Sequence, residues 1–217
     1  MTRAVLFAVG ALAAVLGVVG WRLAQSSTPE TLVETQVRPP EAAPLCPWRE
    51  PQADLQRLFP TATRHETETR ILSGHRLELT QRLGRAPTGD ENALHLYRIY
   101  HDNTPLGTIV TQRVKGAYGA IELVLAADTS LRVCGLLLQR LREPEPIARA
   151  LQNPDWLHSF NGKDTDADWQ LGRGIPGVPP EAASSAQAVV AGARAAMILL
   201  ATADEALPPP SAQPHHH

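Results

Sequence analysis

A chain of 217 residues with 43% hydrophobic content holds one globular domain and appendages; it is too short for two full domains and too polar for a polytopic membrane protein. Twenty basic against 22 acidic residues leave a formal charge of -2, which excludes the clustered basic surplus of a general nucleic-acid binder. Two cysteines are too few for a disulfide scaffold, a four-cysteine zinc site or an iron–sulfur cluster.

In chain order, the first element is the run Ala4–Trp21, which carries no charge and is bounded by Arg3 and Arg22. As a helix it rises about 27 Å, close to the ~30 Å hydrocarbon thickness of a bilayer. A cleaved signal peptide and an uncleaved anchor share this pattern. Trp21 and Arg22 interrupt the small-residue spacing of a cleavage site, and an aromatic residue suits the membrane interface, so residues 1–24 read as a transmembrane signal anchor. The expected location is the bacterial inner membrane, single-pass, with the soluble domain in the periplasm. Residues 25–47 contain Pro29, Pro39, Pro40, Pro44 and Pro47 and few large apolar residues, as a semi-extended tether does. Residues 207–217, with Pro208, Pro209 and Pro210 and three terminal histidines, read as a disordered tail.

The folded part is therefore 48–206. A short helix, Gln52–Phe59, ends at Pro60. Five segments of strand character follow: Arg76–Leu83, Ala93–His101, Thr108–Val114, Ala120–Ala126 and Arg132–Leu141. The breaks between them are too short for parallel crossovers, so neighbours pair antiparallel. Helices come last, at Ile147–Gln152 and Asp155–Phe160, and then a long one whose Val189, Val190, Ala193, Met197 and Leu200 fall at helical spacing. Strands first and helices last predict an α+β fold, a twisted antiparallel sheet with helices packed on it, preceded by a single N-terminal transmembrane helix.

Few residues carry chemistry on their own. Export and an even cysteine count make Cys46 and Cys134 a candidate disulfide; the other reading is a buried Cys134 acting as a small apolar side chain. No CxxC or CxxCH occurs. His65, His75, His95, His101 and His158 have no partner at metal-ligand spacing, and Asp164, Asp166 and Asp168 lack the further ligands of a calcium loop. No nucleophile–base or metal constellation is present, which argues against a stand-alone hydrolase or transferase.

A run of short motifs in fixed order carries a likeness. These are Gly116-Ala117-Tyr118-Gly119-Ala120-Ile121, Leu123-Val124-Leu125-Ala126-Ala127-Asp128, Glu143-Pro144, Asp155-Trp156-Leu157-His158-Ser159-Phe160-Asn161-Gly162-Lys163, Asp168-Trp169 and Ala188-Val189-Val190. Together they resemble the FMN-binding domain of the G subunit of the Rnf electron-transport complex and of the C subunit of the sodium-pumping NADH:quinone reductase. One membrane helix followed by an exported domain is also that family's layout.

The resemblance implies FMN joined through its phosphate to a threonine at the start of the last helix. Counting back from Ala188-Val189-Val190 without gaps puts Ala183 at that position, and alanine has no oxygen to esterify. Ser184 and Ser185 are neighbouring hydroxyls, but each residue turns a helix by about 100°. Ser184 is alternatively an N-cap. Glu181 puts a carboxylate at a helix end that would otherwise favour an anion. The degenerate flavin site thus comprises Ala183, Ser184, Ser185, Glu143 and Tyr118, with FMN possible and covalent attachment disfavoured.

Three functions follow as expectations. The first is an accessory or assembly subunit of a membrane electron-transfer complex that has lost covalent flavin, its partners the redox complex subunits and the membrane itself, with no nucleic acid. The second is an electron carrier holding FMN noncovalently or through Ser184. The third is a periplasmic adaptor that uses its sheet for protein contacts. All three make a non-catalytic or carrier subunit rather than a stand-alone enzyme.

Overall fold

The computed structural model describes residues 44–205. The anchor expected at 1–24, most of the tether and the tail lie outside the described residues.

Four of the five sheet strands follow the expectation. The sheet runs in the order β1 (Arg64–Ile71), β2 (Ala93–His101), β3 (Thr104–Lys115), β4 (Ala120–Asp128) and β5 (Val133–Leu141), every neighbour antiparallel. The fold is α+β, with an open five-stranded meander and helices against it.

Alternating side chains sort to two faces, as the strand period of 2 demands. Leu96, Ile121, Leu123, Leu125 and Ala127 join the larger core beneath the helices, whereas Tyr97, Ile99, Ile109, Val124 and Ala126 join a second, smaller one. Helix α1 (Pro51–Leu58) and the segment before it cover that second face with Trp48, Leu55, Leu58 and Phe59.

The long helix α6 (Ala183–Glu205) fills the larger core with Val189, Val190, Ala193, Met197, Leu199 and Leu200. It lies close on the sheet because Gly192 has no side chain: a Cβ there would collide with Val114 and come within 3.0 Å of Leu123. Between β5 and α6 the chain forms α4 (Glu145–Leu151) and α5 (Pro154–His158), matching the two short helices expected there to within a turn.

Two expectations fail on physical grounds. Arg76–Leu83, expected as a strand, is helix α2. Its burial follows a helical stripe instead: Leu79 is fully buried, Leu83 lies on the same side one turn later, and Leu77 is 84% exposed. Gly84, at φ 74°, closes that helix in the left-handed conformation that glycine adopts freely. The missing strand is β1, whose sequence Arg-His-Glu-Thr-Glu-Thr-Arg-Ile offers no apolar alternation because it is an edge strand that is half-buried at most.

Candidate functional site

The tight turn Gly116–Gly119 joins β3 to β4 and is closed by Gly116 N–H donating to Gly119 C=O at 2.8 Å. Two later segments converge on it. Ser185, fully buried in α6, accepts a hydrogen bond from Ala117 N–H at 2.9 Å. Glu143, just after β5, accepts one from Tyr118 N–H at 3.4 Å, and its carboxylate sits over Gly116 where any Cβ would strike it. The other oxygen of Glu143 is buried without a partner. Tyr118 itself points outward, 68% exposed. Residues far apart in the chain, Tyr118, Glu143 and Ser185, therefore meet at one turn, with Ala183 and Ser184 adjoining.

These residues do not fit a covalently held flavin phosphate. Ala183 supplies no hydroxyl, Ser185 spends its oxygen on the turn, and Glu143 adds an unpaired carboxylate oxygen beside it. Ser184 alone is an exposed hydroxyl here. It is not the N-cap expected from sequence: a 3-10 turn at Pro180–Ala182 runs straight into Ala183, which is already helical, so the helical backbone begins ahead of Ser184. Glu181 lies in that turn, at the end of a helix that favours negative charge.

A separate cavity of about 560 Å³ opens further along α6, between Gln187 and Leu199, and no motif reading pointed to it. Its strand wall is Thr111–Lys115, five consecutive residues of β3. Successive side chains of a strand point to opposite faces, so a cavity lined by all five runs along the strand's edge. Pairing explains this. On the β2 side the register ends at Leu96 opposite Val110, while β4 accompanies β3 as far as Lys115.

The opposite wall is α6, with small residues Ala188, Ala191 and Ala195. A loop held by Glu91 forms one end. That buried carboxylate accepts from both terminal guanidinium nitrogens of Arg85 (2.6 and 2.7 Å), from Thr88 N–H (2.8 Å) and from the Gln112 amide (3.0 Å). Burial alone would push Glu91 up, but Arg85 and Thr88 outweigh it and hold the carboxyl below its usual range. Thr88 and Glu91 form a capping box on the short helix α3 (Gly89–Asn92), a Thr-x-x-Glu signature that sequence inspection finds when it looks for it. Lys115 at the rim has no hydrogen-bond or ion-pair partner among the described residues.

On the second face of the sheet, Glu122 is gripped by Arg49 (3.0 Å) and Arg113 (2.7 Å), with Arg140 at 4.0 Å, and its side chain is 1% exposed. Arg113 also donates to Leu45 C=O and Thr111 Oγ1 to Cys46 C=O, so the segment 45–49 is strapped across β3 and β4. Desolvation favours a neutral Glu122, yet the two arginines prevail and depress its pKa. A depressed carboxylate stabilises the fold above its unfolded pKa, and that stability is lost as pH falls through the folded value. Glu122→Gln is therefore expected to cost about 1–2 kcal/mol at pH 7, discounted for the partly exposed arginines. The gap between mutant and parent should be smaller at pH 3, below the ordinary carboxylate value of ~4.3, than at pH 7, and it closes only below the depressed folded value. Urea midpoints at the two pH values measure this; an equal gap at both would contradict it.

The two cysteines are free thiols, not the disulfide considered from sequence. Gln139 reaches Cys46 Sγ at 3.5 Å, and Cys134 lies five residues away on the same strand, which spaces the sulfurs roughly 15 Å apart. Burial raises both thiols, Cys134 to about 11 with Asp128 assisting, so neither is a ready thiolate. Asp164, Asp166 and Asp168 form a self-bonded turn, with Asp168 paired to Arg173 and Asp164 to Arg132. Among the described residues no group of three His, Cys, Asp or Glu side chains is placed to hold a metal. No protein-family model matches the chain, and no curated protein matches it.

Proposed function

We propose that this chain is a membrane-anchored, periplasmic FMN-binding-like domain that serves as an accessory or assembly subunit of a membrane electron-transfer complex and carries no covalent flavin. The convergence of the Gly116–Gly119 turn, Glu143 and the start of α6 supports the reading, because these segments carry the family likeness and lie together in space. The observation on which it rests is the fate of the hydroxyls: none at Ala183, and the one at Ser185 committed to Ala117 N–H. A phosphate brought to ~4 Å of Glu143 would meet repulsion of about 1–4 kcal/mol. The second reading, a flavin carrier, is favoured only by Ser184, whose hydroxyl is exposed.

The full chain purified in mild detergent is expected to be colourless, with no visible flavin band. A yellow preparation that loses its colour on acid precipitation would replace the first reading with a noncovalent carrier. Colour that stays with the polypeptide, and disappears in Ser184→Ala, would place an ester at Ser184 and overturn the proposal.

A further inference from the structure

Strand edges are usually blunted, because their free N–H and C=O groups invite pairing. The β3 edge Thr111–Lys115 is instead recessed, between α6 on one side and the strap Pro44–Cys46 on the other. A second sheet has no access to such an edge, whereas a single extended chain, spaced ~4.8 Å from β3, has. The available length is about 17 Å, five residues at ~3.3 Å each.

Side chains on the two faces of this edge differ. Thr111, Arg113 and Lys115 point to the strap face, Gln112 and Val114 to the helix face, where Val114 meets α6 at Gly192. The cavity's deep surface is apolar, with Leu94, Val190, Ala195 and Leu199, while its rim carries the unpaired Lys115. Arg194 also lines it and makes only a backbone contact, to Arg82 C=O at 3.2 Å.

We propose that the β3 edge takes up an extended segment of a partner protein by strand addition, with acidic side chains beside Lys115 and apolar ones against α6. Main-chain bonds supply the attachment and alternate side chains the selectivity. The accessory-subunit reading supplies the reason a partner segment is present; the test below is independent of flavin, so either idea fails without the other.

The test titrates the full chain, in mild detergent, into a fluorescein-labelled peptide Val-Glu-Val-Glu-Val-Glu blocked at both ends and follows anisotropy. Saturable binding is expected. Of two versions N-methylated at alternate residues, one should bind about tenfold or more weakly, because its donors face β3, and the other like the parent. Replacing every Glu by Lys should weaken binding about fivefold, and Lys115→Glu, an exposed change verified as folded by circular dichroism, should reverse that preference.

The proposal is overturned if no saturable binding occurs, or if both methylated peptides bind like the parent. It is equally overturned if laurate or FMN binds while the peptide does not, which would assign the cavity to a small amphiphile. Self-association of the chain that excludes the peptide would assign the edge to a second copy and also overturn it.

Discussion

Phe160→Ala is expected to destabilise the domain by about 3–5 kcal/mol, the range for emptying a fully buried aromatic site. Phe160 has no exposed surface and stands between two tryptophans, Trp156 at 5.2 Å in an edge-on arrangement and Trp169 at 6.2 Å. Both tryptophans also anchor backbone: Trp156 Nε1–H donates to Pro176 C=O and Trp169 Nε1–H to Asp164 C=O. The irregular stretch 159–179 has little regular secondary structure to hold it, so this aromatic trio is its core. Removing the middle ring leaves a void that neither indole can fill without giving up its hydrogen bond. At roughly 2–4 °C per kcal/mol, thermal melting by circular dichroism should fall by about 10 °C. Phe160→Leu, which keeps most of the volume, should cost about 1.5 kcal/mol or less. A melting temperature for the alanine variant within ~2 °C of the parent would mean that the stretch collapses freely and that the trio is not its support.

Gly107→Val is expected to cost about 3 kcal/mol, the upper end for overpacking, because the obstacle is main chain. A Cβ at Gly107 collides with the carbonyl oxygen of Ala127 on β4 and lies 2.9 Å from the Phe59 ring. A side chain in the way can rotate, but a carbonyl in a paired strand moves only with its ladder. Gly107 lies opposite Ile99, next to the point where β3 carries an extra residue against Ile99 and Tyr100. Gly177→Ala is the control: its Cβ meets nothing within 4 Å, and its stability should be unchanged within about 0.5 kcal/mol. Chemical denaturation of the pair measures both, and equal midpoints would show that β3 and β4 part without cost.

The contrast between these residues explains what sequence reading reached and what it did not. Strands β2 to β5 were legible because they are buried on one or both faces and therefore rich in Leu, Ile and Val between turn residues. Strand β1 was not, since an edge strand of Arg, Glu and Thr has the composition of a loop. Helix α2 carries Leu77 and Leu79 at a strand-like spacing of two, yet Leu77 is solvent-exposed and only Leu79 is buried. The grouping of Tyr118, Glu143 and Ser185 was anticipated only through the family likeness, since no spacing rule joins positions so far apart. The cavity along β3 was out of reach altogether: it exists because β2 stops pairing five residues before β3 ends, and register is set by tertiary packing. Compartment and count made Cys46 and Cys134 a candidate pair, but Cys46 sits beside Gln139, five residues along β5 from Cys134.

The helical stretch Pro180–Glu205 is long and apolar enough to cross a lipid bilayer, yet it is largely buried within the protein. By length and composition alone the same segment suits either a bilayer or the core of a folded domain. Arg194, near its midpoint, biases the choice: a bilayer charges about 2.5–3.5 kcal/mol for an arginine at that depth, whereas the folded domain leaves it partly exposed and bonded to Arg82 C=O. A single cation near the middle of that helix thus sets the cost of placing it in lipid above the cost of burying it in its own fold.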